Sequence, residues 1–214
     1  MKKMVFMAAL AAVAVISGIK AKSSLRRTTE DVVADIEKKK PRLAALATAA
    51  GNNLRICVFK NERLVELCST GWVSPLVYPM TAFSGKLGPK LREGDGQIPE
   101  GIYRVEYMNP NSRFYLSFKV SYPNDFDKEM AKRDGRVNLG GDIMIHGSDG
   151  TVGCVPIGDD AIEDVFYLVA KVGLKNVEIV IAPYDMRKGR QPELEKSPLA
   201  WYPRLCEDIA AKLK

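Results

Sequence analysis

The sequence has a single histidine and no concentrated run of positive charge, although its 214 residues carry a formal net charge of +6. Residues 38–40 are its only run of three basic residues, and the other lysines and arginines are scattered. Proteins that bind nucleic acids usually gather basic residues on one face or along one helix. The composition, 46% hydrophobic and 27% charged, is that of a globular protein. We therefore expect a folded domain with no nucleic-acid partner.

No hydrophobic run is long enough to cross a bilayer, for which a helix needs about 20 apolar residues. The longest, residues 4–19, has 16 residues and follows the basic pair Lys2 and Lys3. This order is typical of a secretory signal, and a cut after Ala21 fits the pattern. We interpret residues 1–21 as a signal peptide or an uncleaved N-terminal anchor, which would be the only membrane contact. The protein is thus expected to be exported.

Hydrophobic periodicity predicts an α+β fold, in which a curled antiparallel β-sandwich is flanked by N- and C-terminal helices. A helical spacer is expected over residues 22–51, the main domain over 52–184, and a connector with a final helix over 185–214. A helix that ends at Gly173 is predicted to begin with a capping box of Asp160 and Glu163. The predicted strands outside the first hairpin are 102–107, 113–121, 143–146 and 177–182, and the predicted loops are 84–101 and 122–142.

The first hairpin is predicted over residues 54–68, with a two-residue turn. Its register pairs Ile56 with Leu67. The same register pairs Val58 with Val65 and so puts four aliphatic side chains on one face. That face is expected to join the core.

The four cysteines bear on the redox state, because exported proteins often form disulfides. An even number would allow two bridges. Cys154 stands where a free thiol would be needed for chemistry, so at most one bridge is expected. Cys57 and Cys68 are diagonal in the hairpin register, which gives poor support to a bridge between them.

His146 and Cys154 flank a glycine-rich turn that follows a short apolar strand. The thiolate is the reactive form of cysteine, and a nearby imidazole can take the thiol proton and later pass it to a leaving amine. The glycines free backbone amides, so those of Gly153 and Cys154 are predicted to stabilise an oxyanion. Ser148 or a backbone carbonyl would orient the imidazole. The pattern indicates a cysteine nucleophile with a histidine base.

On the pattern alone, a structural role for these residues stays open. A histidine after an apolar strand and a single cysteine are often ordinary core residues. A metal site finds less support, because His146, Cys154 and Asp142 do not have a recognised ligand spacing. No metal is expected at this position.

Two longer motifs surround these residues. One reads His146-Gly147 and then, after a short insert, Thr151-Val152-Gly153-Cys154. The other reads Ile98-Pro99-Glu100-Gly101 before a predicted strand. Both resemble motifs of the L,D-transpeptidase catalytic-domain family, and the short insert is similar to that of one murein L,D-transpeptidase branch. The resemblance spans about residues 52–184.

The resemblance implies a cysteine acyltransferase of the periplasm or cell wall that acts on peptidoglycan stem peptides and needs no cofactor. Cys154 would attack the bond after the diamino acid of a stem tetrapeptide, and His146 would protonate the departing D-alanine. An amine of a second stem, or of a wall-linked protein, would resolve the thioester. Arg113, Tyr122 and Thr151 are the candidate substrate-binding residues, and an arginine there would suit a carboxylate.

Pro156 departs from the family pattern, because many members carry an arginine at that position. The acceptor therefore stays open. Water as the acceptor would make the protein a hydrolase, either a carboxypeptidase, an endopeptidase or an amidase that releases wall-linked peptides or protein. A non-catalytic wall-binding domain is the remaining alternative, although such a domain has no chemical need for His146 and Cys154.

Overall fold

The computed structural model describes residues 26–214, so the expected signal segment, residues 1–21, lies outside the described residues. Within this part of the chain the strands are β1 (Leu54–Phe59), β2 (Leu64–Cys68), β3 (Leu76–Pro79), β4 (Gly101–Ser112), β5 (Tyr115–Val120), β6 (Met144–His146), β7 (Val155–Pro156) and β8 (Val177–Ala182). The helices are α1 (Thr29–Lys39), α2 (Arg42–Ala50), α3 (Asp125–Arg133), α4 (Asp159–Val172) and α5 (Tyr202–Leu213). None of these five helices combines the length and the apolar character needed to span a bilayer.

The strands form one curled sheet in the order β3-β2-β1-β8-β4-β5-β6-β7. Most neighbours are antiparallel, but β1 pairs with β8 in parallel, and so does β6 with β7. The expected α+β class with flanking helices is confirmed, whereas the sheet is mixed rather than wholly antiparallel. β1 and β8 are far apart in the chain, with α3 and α4 in the connection between them, and a long connection of this kind allows parallel pairing.

The two faces of the central strands contact different helices, because alternate residues point to opposite sides. Ile56 and Ile179 belong to the larger core, which is covered by α4 together with α1 and α2. Cys57 and Val180 belong to a smaller core beneath α5. The predicted hairpin register, in which Ile56 pairs with Leu67, is confirmed.

The prediction of a loop over residues 122–142 is wrong, because α3 forms within this segment. Asn124 and Asp127 build a capping box, in which each side chain accepts a hydrogen bond from the other residue's amide. The helix buries only Met130 and Ala131. Two apolar positions are too few to produce a visible helical period in the sequence.

The capping box predicted for α4 is also wrong. Gly158 precedes the helix, and no side chain caps its first turn. Glu163 contacts α1 and β5 instead, because its carboxylate accepts hydrogen bonds from Lys39 of α1 and Tyr115 of β5. The acidic residues of α4 therefore attach the N-terminal helices to the domain rather than capping their own helix.

A buried ion pair joins the end of β1 to the loop over residues 84–100. The ammonium of Lys60 donates to the Glu100 carboxylate at 2.8 Å and to the carbonyls of Gly88 and Ile98 at 2.7 and 2.8 Å. Glu100 also accepts a hydrogen bond from Tyr202 of α5. Both side chains of the pair are 0% exposed. Burial lowers the pKa of Lys60 and Glu100 opposes this shift, while all three ammonium protons find acceptors.

We predict that Lys60→Met lowers the free energy of unfolding by about 3–5 kcal/mol, because Glu100 then keeps a buried charge without its partner. Denaturant titration followed by circular dichroism measures this loss. Lys171→Met is the matched control, since Lys171 forms its ion pair with Glu37 at the surface, where such pairs contribute little. Equal stability of the two variants would contradict the structural role of the buried pair.

Candidate active site

The strands β5, β6 and β7 place the candidate base in a closed environment. His146 ends β6, lies between Ser117 of β5 and Pro156 of β7, and is 1% exposed. The ring of Phe114 covers the imidazole, with 4.5 Å between the ring centroids. The imidazole is therefore held in one position and shielded from bulk water on this side.

The carbonyl of Gly147 orients the imidazole, because Nδ1 of His146 lies within hydrogen-bond distance of it. A carbonyl only accepts, so Nδ1 carries the proton and Nε2 keeps the lone pair of a base. Ser148, the other predicted orienting residue, serves the turn through its backbone. Its amide donates to Asp159 at 2.8 Å, and its carbonyl accepts from Thr81. Of the two predicted orienting groups, the backbone carbonyl is the one in contact.

Two glycines of the motif are required by the space around them. A Cβ at Gly147 would lie 2.6 Å from the Asp159 carboxylate and 2.8 Å from the Phe114 carbonyl. At Gly153, φ is +90° and a Cβ would lie 3.0 Å from the carbonyl of Gln97. Any side chain at either position would push the turn away from Phe114 and Asp159 or from the loop over residues 84–100.

Both amides predicted to stabilise an oxyanion already have acceptors in the structure. The Gly153 amide donates to the Ser84 hydroxyl at 2.7 Å, and the Cys154 amide donates to the Thr151 hydroxyl at 2.9 Å. That hydroxyl donates in turn to the Cys154 carbonyl at 2.7 Å. Thr151 thus braces the nucleophile's own backbone, and Gly153 could serve an oxyanion only if a substrate oxygen displaced Ser84.

The parallel pairing of β6 and β7 brings the backbone of Cys154 alongside the start of the strand that ends in His146. The register pairs Ile145 with Val155. Cys154 therefore stands beside Met144, two positions before His146, and positions two apart on a strand face the same side. The Cys154 sulfur accepts a hydrogen bond from the Met144 amide at 3.4 Å. The positions of Cys154 and His146 are diagonal, but the thiol itself donates to the Asp142 carbonyl at 3.6 Å, so the resting thiol is bound to backbone groups rather than to the imidazole.

Burial keeps both groups neutral in the resting protein. It raises the pKa of the Cys154 thiol, against the opposing effect of the Met144 amide. It lowers the pKa of His146, against the opposing effect of the Gly147 carbonyl. At neutral pH the site therefore holds a thiol and a neutral imidazole rather than an ion pair. The imidazole is in the form required for general-base catalysis.

A cavity of about 610 Å³ borders the turn that leads to Cys154. Gln97 connects the cavity to the turn, because it lines the cavity and its carbonyl lies against Gly153. The charged residues in the cavity wall are Lys86, Arg92, Asp95 and Arg136. A cavity of this size accepts a short peptide, and its basic side chains suit carboxylates.

The predicted substrate-binding residues have different locations. Arg113 is exposed, and its guanidinium carbon lies 6.0 Å from the centroid of the Phe114 ring. Because that ring covers His146, Arg113 stands at the edge of the site. Tyr122 is 2% exposed and donates to the Leu139 carbonyl. It packs in the core and does not line an open groove, because its aromatic ring gains more from burial than from the loop surface.

Sequence reasoning missed two residues that shape the site, Ser84 and Phe114. Phe114 stands out in the sequence only as one apolar residue of a predicted strand. Its contact with the imidazole depends on the pairing of β5 with β6, which no local pattern specifies. Ser84 opens the predicted glycine-rich loop, and it meets Gly153 only because that loop folds back.

Comparison with curated proteins finds YafK of Escherichia coli (strain K12), which carries a provisional L,D-transpeptidase name. The two are 32% identical over 144 residues, which cover 64% of this chain and 56% of YafK. The chain thus spans about half the length of the curated relatives it matches.

Two solved structures are also similar. The helical cell shape determining protein Pgp2 from Campylobacter jejuni is 22% identical, with a TM-score of 0.47 over 72% of this chain and 55% of Pgp2. Bd1075 from Bdellovibrio bacteriovorus is 25% identical, with a TM-score of 0.45 over 64% of this chain and 50% of Bd1075.

The family comparison covers the region that carries the site. The model of the L,D-transpeptidase catalytic domain, called YkuD, matches residues 53–181. This range is more than half of the chain and includes both motifs that suggested the resemblance. The chain therefore belongs to the L,D-transpeptidase catalytic-domain family.

Proposed function

We propose that the chain is a peptidoglycan L,D-transpeptidase in which Cys154 forms a thioester with a stem tetrapeptide. The observation that carries the proposal is the state of His146, which is buried and tied through Nδ1 to the Gly147 carbonyl. Its Nε2 is left as the base, and the strand register puts Cys154 diagonal to His146. The family acts on peptidoglycan stems, and the export signal expected in residues 1–21 would take the chain to the periplasm or cell wall.

The proposed reaction exchanges one amide bond for another. The thiol proton moves to Nε2 of His146 as the Cys154 sulfur bonds to the carbonyl carbon between the diamino acid and D-alanine. The tetrahedral adduct expels D-alanine, whose amine takes the proton from the imidazole. An acceptor amine on a second stem, or on a wall-linked protein, then attacks the thioester. It gives a proton to His146, which returns it to sulfur, so the cycle needs no cofactor.

Charge and burial around the site support a peptide with free carboxylates as the substrate. Lys86, Arg92 and Arg136 line the cavity beside the turn, and Arg113 stands at the outer edge of Phe114. Arginine binds carboxylates through paired hydrogen bonds. Phe114 would exclude water from the imidazole during transfer, which favours an amine over water as the acceptor.

A hydrolase on the same scaffold is the alternative that Pro156 favours. This residue is buried in β7 opposite His146, at a position where the resemblance leads one to expect an arginine. Because proline is uncharged, this position offers no charged side chain that could hold an acceptor stem. Water would then resolve the thioester, and the protein would trim stems or cleave wall-linked peptides or protein.

Product analysis separates these functions. We expect the full chain, incubated with a purified disaccharide-tetrapeptide, to release D-alanine and form a cross-linked dimer by mass spectrometry. Release of D-alanine with tripeptide alone would assign a carboxypeptidase. Cleavage confined to cross-linked or protein-linked wall would assign an editing hydrolase. If none of these substrates is turned over, a non-catalytic wall-binding domain is the remaining function.

Substitutions of Cys154 and His146 test how turnover depends on each residue. Cys154→Ala should reduce turnover below detection, because no nucleophile remains. His146→Ala should lower the rate by about 10²–10⁴-fold through loss of the base. Cys68→Ala is the matched control, since it removes a half-buried thiol on β2, at the other end of the sheet. Full activity of Cys154→Ala would refute the mechanism.

The pH dependence tests whether the resting pair is neutral. Because the pKa of His146 is lowered and that of Cys154 is raised, kcat/KM should stay level across neutral pH. The value of kcat/KM should fall only below about pH 6.5 and above about pH 8.5, which are the ordinary pKa values of imidazole and thiol groups.

Alkylation of Cys154 by iodoacetamide gives the complementary measurement. The rate should rise throughout the range from about pH 6 to pH 8.5, as the thiolate fraction grows. The Cys154→Ala chain provides the background from the other thiols. A plateau in alkylation beginning below about pH 6.5 would indicate a thiolate–imidazolium pair and contradict the neutral resting state.

A further inference from the structure

The hairpin of β1 and β2 gathers two thiols and a carboxylate far from the candidate active site. Cys57 lies opposite Glu66 in the register, and Cys68 lies two residues further along β2. The two sulfurs and a Glu66 carboxylate oxygen all lie within 4.8 Å of one another. In the sheet order, β8, β4 and β5 separate this hairpin from the strands that carry the His–Cys pair. The cluster therefore has no part in the proposed acyl transfer.

The strand register argues against a disulfide as the purpose of this cluster. Diagonal residues on paired strands are about 7–8 Å apart, whereas bridged cysteines rarely exceed about 6.8 Å between Cα atoms. Both cysteines are free thiols in the structure. A bridge would therefore require the backbone of β1 or β2 to move.

A bound cation fits the spacing better. Zinc binds thiolate sulfur at about 2.3 Å, so two sulfurs on one tetrahedral zinc are about 3.8 Å apart. The separations within the cluster, up to 4.8 Å, reach this geometry by small side-chain rotations. Sulfur and carboxylate ligands together suit zinc, whereas calcium and magnesium take oxygen ligands alone.

The carboxylate is already oriented by an outer partner. Arg187 donates to both oxygens of Glu66, at 2.7 and 2.9 Å, and Asp185 holds the same guanidinium at 2.8 Å. Each carboxylate oxygen keeps a further lone pair. Ligating carboxylates in metal sites commonly carry such a second hydrogen bond, which fixes their direction. Arg187 also stacks on Phe59, 5.0 Å from the ring centroid, so this partner is itself held in place.

We propose that Cys57, Cys68 and Glu66 form a binding site for a thiophilic divalent cation of the zinc type. Binding releases the two thiol protons to solvent, and water fills the fourth position. Cys57 is buried and Cys68 is half-buried, so the ion enters from the Cys68 side. The bound ion joins β1 to β2 and, through Arg187, to the segment that follows β8.

Metal binding by the reduced chain tests the proposal. A Cys154→Ser background removes the other accessible thiol, and equilibrium dialysis against Zn²⁺ should give one ion per chain. Co²⁺ in the same site should show sulfur-to-cobalt charge-transfer absorption, which oxygen ligands alone do not produce. Cys68→Ser should weaken Zn²⁺ binding by at least about 100-fold, since even outer-partner losses reach about 10–100-fold.

Control variants separate loss of a ligand from loss of the fold. Cys206→Ser removes a buried thiol of the same core that is not a member of the cluster, and it should bind Zn²⁺ like the parent. Glu66→Gln keeps the size of the side chain and should weaken binding while circular dichroism stays unchanged. Absence of stoichiometric binding, binding that survives Cys68→Ser, or a Cys57–Cys68 disulfide in the isolated native chain would overturn the proposal.

Discussion

The buried pair of Lys60 and Glu100 is the constraint on which the candidate site depends. Lys60 directly follows β1, and its ammonium donates hydrogen bonds to three acceptors in the loop over residues 84–100. That loop presents Ser84 and Gln97 to the glycine before the nucleophile. A buried ion pair adds little net stability, because desolvation offsets the attraction. What it provides here is a single position for a loop that has no strand or helix of its own.

The chemistry of the site then follows from burial. His146 lies between two strands and under Phe114, so its pKa is lowered and it rests as a neutral base. The Cys154 thiol, which is hydrogen-bonded to backbone groups of Asp142 and Met144, also rests uncharged. The proton therefore has to move during the reaction, and the Gly147 carbonyl determines which nitrogen receives it. The cluster of Cys57, Cys68 and Glu66 lies near the opposite end of the same sheet and takes no part in this proton transfer.

Local patterns in the sequence predicted the parts of the fold that local physics controls. Alternating aliphatic residues specified the first hairpin and its register, and the glycine-rich turn marked His146 and Cys154. Long-range contacts overruled local patterns elsewhere. Glu163 could cap its own helix by spacing, but it binds Lys39 and Tyr115 instead. The motif alone suggests that the Gly153 amide has no acceptor. In the folded protein the loop over residues 84–100 brings the Ser84 hydroxyl within hydrogen-bond distance of that amide.

The most direct measurement is intact-protein mass spectrometry of the chain during turnover of a disaccharide-tetrapeptide, followed by peptide mapping. We expect a covalent adduct whose mass equals the substrate less D-alanine, confined to the peptide that contains Cys154 and absent from Cys154→Ala. Release of D-alanine at full rate while Cys154 stays unmodified, or an adduct on another cysteine, would contradict Cys154 as the nucleophile.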